Sequence, residues 1–168
     1  MSEIELLRSP SERRRYILGD LGSLRLNGWF MRSATVETRE RSFTVEKTRS
    51  LTTAVAASDS HRELGAFQGR TLRAGGRLRW LEDDYVLRHE KLFGESYALM
   101  RGDDRLALVT ARGWWGWGVK RPLTMEVWDA TDAGLLLFVA FVVRSLANQR
   151  AADASAASTA ATTSTYTG

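Results

Sequence analysis

Apolar side chains fall on alternate positions over most of the chain, in short runs separated by glycine-containing turns. A period of two marks a β-strand with one face turned inward. Tyr16-Ile17-Leu18, Gly19-Asp20-Leu21-Gly22 and Ser23-Leu24-Arg25-Leu26 read as strand, turn and strand. Further strands are predicted over 34–38, 42–47 and 51–57, with Thr44, Glu46 and Thr48 on one face and Phe43, Val45 and Lys47 on the other. Gly75-Gly76 suits a tight hairpin turn between Leu72 and 78–81. Segments 85–92 and 96–101 flank Gly94, and Arg101 and Arg105 face each other across Gly102-Asp103-Asp104. Residues 106–110 alternate, and 123–128 form the last strand. About twelve short strands at this regular spacing predict a sandwich or a barrel.

The pattern then changes. From Ala133 to Val143 the run is almost wholly apolar, and a helix apolar on every side must be surrounded by protein or by lipid. A bilayer span takes about 20 apolar residues, whereas this run stops at Arg144 and is closed off upstream by Asp129 and Asp132. A buried closing helix is therefore predicted over 130–149, with Asp129 or Asp132 capping its start and Arg144 and Arg150 near its negative end. Full burial of its large side chains, from Leu135 to Leu146, contributes on the order of 15 to 25 kcal/mol before entropy is subtracted. Residues 1–12 read as a short leader with one helical turn around 4–7, stopped by Pro10. Residues 151–168 contain no large aliphatic side chain and read as a disordered tail. The folded part is a single domain over 13–150.

A chain of 168 residues, 43% hydrophobic, is long enough for one domain with a sizeable core. It contains no cysteine, which excludes disulfides, thiolate nucleophiles and cysteine-ligated metals. The N-terminus has no basic segment leading into an apolar one, so a cytoplasmic location is expected, with peripheral contact at a membrane. The net charge is +4, almost all of the cations being arginine, and charges of both signs are interspersed. That balance permits attraction to phosphate or anionic lipid without demanding it.

The succession of glycine-turn hairpins, the segment from Tyr97 to Val109, the strands from Trp114 to Trp128 and above all the closing apolar helix resemble the tubby C-terminal-like superfamily. That superfamily includes the LURP-one-related proteins and the phospholipid scramblases. The resemblance covers roughly residues 14–150. It implies a mostly β fold, a closed antiparallel barrel of twelve strands around a buried hydrophobic C-terminal helix. Tubby proteins bind phosphoinositides, and scramblases associate with lipid and calcium. The scramblases also carry a palmitoylated cysteine cluster, which this chain lacks.

Catalytic signatures are not found. His61 and His89 are isolated from each other, and Glu82-Asp83-Asp84 lacks the spacing of a calcium loop and reads as a turn. Gly94-Glu95-Ser96-Tyr97-Ala98 lacks the second glycine of a nucleophile elbow, and Ser96 opens a strand there. With no phosphate-binding glycine motif, a non-enzymatic protein without metal or cofactor is expected. Two segments carry functional colour. Arg70, Arg73, Arg77 and Arg79 surround the Gly75-Gly76 turn. Arg77 and Arg79 share an outward face if Leu78 and Trp80 point in, which would let them anchor on phosphates. Trp114, Lys120 and Arg121 belong to a segment that interleaves indoles with cations, as membrane interfaces and single-stranded nucleic-acid sites do. The expected partner is an anionic membrane surface. A small apolar ligand and single-stranded nucleic acid are the alternatives.

Overall fold

Alternation along the sequence becomes the inside and outside of one closed wall. The computed structural model describes residues 1–28, 32–48, 53–70, 75–90, 95–111, 122–129 and 131–163, and of the side chains after Arg150 it describes Asp153. The strands are β1 (Ser2–Arg8), β2 (Arg15–Leu18), β3 (Gly22–Asn27), β4 (Ser33–Thr38), β5 (Ser42–Thr48) and β6 (Ala54–Ser58). They continue with β7 (Glu63–Gly69), β8 (Gly75–Trp80), β9 (Asp83–Glu90), β10 (Glu95–Arg101), β11 (Asp104–Ala111) and β12 (Leu123–Val127). One helix, α1 (Ala133–Thr163), follows them. Each strand pairs antiparallel with its sequence neighbour, and β1 also pairs with β12, so the sheet closes and leaves no edge.

On β5 Phe43 and Val45 are buried while Thr44 and Glu46 are exposed, and on β8 Leu78 and Trp80 are buried while Arg77 and Arg79 are exposed. The inward side chains meet α1, whose residues from Leu135 to Val143 are all at most 2% exposed. By length and composition Ala133–Arg150 could cross a membrane, but here its surroundings are the barrel wall. Trp80 stacks on Phe138 at 5.5 Å and tilts against Phe43 at 5.3 Å, which fixes the first turns of the helix. Asp132 caps it: its Oδ1 accepts the Gly134 N–H at 2.6 Å and the Leu135 N–H at 3.2 Å. The same carboxylate pairs with Arg41 at 3.3 Å.

The wall corrects several sequence expectations. Residues 2–8 are not a helical leader but β1, registered with β12 through Ile4↔Met125 and with β2 through Leu7↔Ile17. That pairing joins the two ends of the barrel's sequence, and a local pattern cannot reveal it. The helix runs from Ala133 to Thr163, so 151–163 is helical where disorder was expected. Alanine has the highest helix propensity, and elongation from a helix already nucleated in the barrel costs little.

Gly75-Gly76 is not the turn but the start of β8, inside the ladder. A Cβ on Gly76 would lie 2.1 Å from the Gln68 carbonyl oxygen, so these glycines permit close backbone approach. Strand β7 was missed for a related reason. Its Gly65 looks like a turn residue, yet a Cβ there would lie 2.6 Å from the Trp80 ring. Leu81 belongs to the turn after β8, with φ 55°, not to the strand. Arg101 faces Asp104, and Arg105 faces Met100, because a bulge interrupts the pairing of β10 with β11.

Candidate functional site

Strand alternation places Arg77 and Arg79 on the outer face, as their spacing predicts, but their surroundings differ. Arg79 Nη2 donates to Glu63 Oε1 at 2.5 Å and is neutralised by it. Arg77 has no ion pair among the described residues. It stands opposite Gln68 on β7 and Val86 on β9, and Val86 is 43% exposed. Two positions along β9 from Val86 is Arg88, exposed and likewise without an ion pair among the described residues. Arg88 was not identified from the sequence. Its register partner is Gly75, so only the paired strands reveal it as a diagonal neighbour of Arg77, about 7 to 8 Å away. Arg70 is exposed at the end of β7, its backbone N–H donating to the Gly75 carbonyl at 3.1 Å. Arg73, Trp114, Lys120 and Arg121 lie outside the described residues.

Farther round the wall, Arg105 donates to Glu90 across the intervening β10, and its guanidinium lies 5.6 Å from the Trp128 ring. The pair bridges β9 and β11 over outward residues of β10, where Ala98 and Met100 are buried. The acidic segment Glu82-Asp83-Asp84 is the turn and strand start expected of it, with Asp83 paired to Arg101 at 3.2 Å. Among the described residues no cluster of His, Cys, Asp or Glu has the makings of a metal site.

A second polar group forms where α1 leaves the barrel. Arg150 Nη1 lies 3.0 Å from His89 Nε2 and 3.7 Å from Glu95 Oε1, and Thr53 donates to the Gln149 side chain. The Tyr97 ring packs edge-on against His89 at 5.1 Å. Tyr97 is wholly buried, and among the described residues neither its hydroxyl nor Glu95 Oε2 has a hydrogen-bond partner. Burial pushes the Tyr97 hydroxyl up to about 12, with the Arg150 charge opposing and the Glu95 charge adding. Burial also holds the Lys47 ammonium below its ordinary value, the Arg32 charge acts the same way, and Asp153 opposes both. Nearly two turns deeper, Arg144 donates to the Tyr16 hydroxyl at 3.0 Å and stacks 4.3 Å from that ring.

No family model, curated protein or solved structure matches this chain. Its chemistry must therefore be read from the surface. Arg70, Arg77 and Arg88 are exposed cations on adjoining strands without carboxylate partners among the described residues, and guanidinium groups so placed suit phosphate oxygens.

Proposed function

We propose that this protein is a non-enzymatic, tubby-like barrel of the LURP-one-related and scramblase-like group that binds anionic lipid headgroups peripherally. The observation that carries this reading is the group of exposed arginines, Arg70, Arg77 and Arg88, without ion pairs among the described residues, on a barrel whose lumen is occupied by its own helix. Packing of α1 against the inner wall disfavours an internal ligand, which leaves the outer surface for binding. Contacts of this kind rest on charge, at about 1 kcal/mol per cation near an anionic leaflet, and fall off within a Debye length.

Flotation with liposomes tests the proposal. Phosphatidylcholine vesicles containing phosphatidylserine should carry the protein at low salt and release it at high salt, while phosphatidylcholine alone should not bind it. Combining Arg70→Glu with Arg88→Glu should weaken binding by on the order of tenfold or more. Absence of flotation at low salt, or equal binding to both vesicle types, rejects the proposal.

A further inference from the structure

Exposed apolar side chains gather on one side of the barrel. Of the six large hydrophobic residues that stand exposed among those described, Met1, Leu7, Ile17 and Trp128 belong to the outer face of β1, β2 and β12. Alternation along β1 turns Glu3, Glu5 and Leu7 outward, because Leu6 and Ile4 pack into the core. The register completes the face. Glu3 is opposite Glu126 on β12, Leu7 is opposite Ile17 on β2, and Met1 and Trp128 lie one position beyond the Ser2↔Val127 pair. The result is a strip about 20 Å long, apolar at both ends, with Glu3, Glu5 and Glu126 between.

None of these three carboxylates has an ion pair among the described residues. Arg15 nearby is neutralised by Glu12 and Glu37, Arg105 lies over the Trp128 ring but donates to Glu90, and Arg8 stands exposed past Leu7. Like charges directly opposite across a ladder, as Glu3 and Glu126 are, cost stability until a cation meets them. The complementary surface is on the same chain. On the wall of β8 and β9, Arg77 and Arg88 stand beside exposed Val86 without ion pairs among the described residues, and exposed Leu81 follows β8. Arg79 is opposite Asp84 and paired with Glu63, which confines the cationic part of β8 and β9 to Arg77 and Arg88. Around the ring of strands β1 and β8 are five places apart, so the two walls face nearly opposite directions and cannot meet within one barrel.

We propose that the acidic wall of β12, β1 and β2 receives a second copy of this chain, which presents its β8 and β9 wall. Carboxylates between apolar ends on one copy meet arginines beside an apolar centre on the other. The contact joins different patches of the two copies and is therefore heterologous, so association continues into open chains as concentration rises. Because the charges are exposed, it weakens with salt. It stands independently of lipid binding, and it covers two of the arginines that would meet headgroups.

Sedimentation velocity on the full chain tests the proposal. At low salt the weight-average sedimentation coefficient should rise with concentration, and at high salt it should stay that of a monomer. Glu3→Arg with Glu126→Arg, and separately Arg77→Glu with Arg88→Glu, should each weaken self-association by on the order of tenfold or more. An equimolar mixture of the two variants should restore association, because the arginine wall of the first still fits the acidic wall of the second. Arg39→Glu with Arg62→Glu, in the turns after β4 and β6, reverses as many exposed arginines outside both walls and should stay within about twofold of wild type. Leu7→Ser with Ile17→Ser should weaken association with no change of charge. Flotation separates this contact from the lipid reading: the Glu3 and Glu126 reversal should lose self-association and still float on phosphatidylserine-containing vesicles. A wild type that stays monomeric at low salt, a mixture that stays monomeric, or an equal loss from the Arg39 and Arg62 reversal overturns the proposal, whatever flotation shows.

Discussion

At the end of the barrel where α1 begins, the start pole, Asp132 caps the helix and pairs with Arg41, while Trp80, Phe43 and Phe138 pack its first turns and Trp80 Nε1 is buried with no hydrogen-bond partner among the described residues. At the end where α1 leaves, the exit pole, the helix is held by polar contacts, Arg150 with His89 and Glu95 and Gln149 with Thr53, and buried oxygens of Tyr97 and Glu95 have no hydrogen-bond partner among the described residues. One pole is secured by packing and capping. The other is held by half-exposed polar contacts, which add little stability.

The contrast can be broken in several ways. Val142→Asp places a charge in the middle of the lumen, where Val142 is fully buried, and should abolish soluble, cooperatively unfolding protein. Soluble expression with a native melting curve would mean that α1 is not the common core of both poles. Trp80→Ala should cost about 3 to 5 kcal/mol in denaturant unfolding, because the cavity opens between Phe43 and Phe138. Arg150→Ala, at a half-exposed site, should cost less than about 1 kcal/mol. Equal losses from these two substitutions would erase the distinction between the poles. Asp132→Ala removes the cap and should cost about 1 kcal/mol, seen as a lower unfolding midpoint.

The smallest effect should come from Tyr97→Phe, which removes a buried hydroxyl that has no partner among the described residues and should leave stability near neutral pH almost unchanged. Its consequence lies at high pH. The Tyr97 hydroxyl is raised from 10.0 to about 12, so between those values the unfolded chain loses a proton that the folded chain keeps. Tyrosine stabilisation is complete below pH 10 and declines as pH rises towards 12, by up to roughly 1.4 kcal/mol per pH unit. Phenylalanine should remove this part of the alkaline slope. An unchanged slope would show that Tyr97 does not titrate as its burial implies.

Much of the wall was legible because burial follows the two-residue period: Leu78 and Trp80 point in, and Arg77 and Arg79 point out. The candidate surface was only half legible. Arg77 followed from its own strand, but Arg88 requires the register of β8 with β9, and the neutralisation of Arg79 requires Glu63, 16 positions away. Glycine misled in two places. Gly65 and Gly76 have the composition of turns, yet they serve close contact with the Trp80 ring and the Gln68 carbonyl.

Local sequence determined the closing helix, a capping aspartate at 129 or 132 and the inward or outward facing of the side chains, because each depends on residues only a few positions apart. Tertiary structure alone decided that residues 2–8 are the strand between β12 and β2 and that Glu3 and Glu126, distant in sequence, share one wall. Both are consequences of closure. Joining the first strand to the last is stabilised only once all the intervening strands have formed, so no short window of sequence records it.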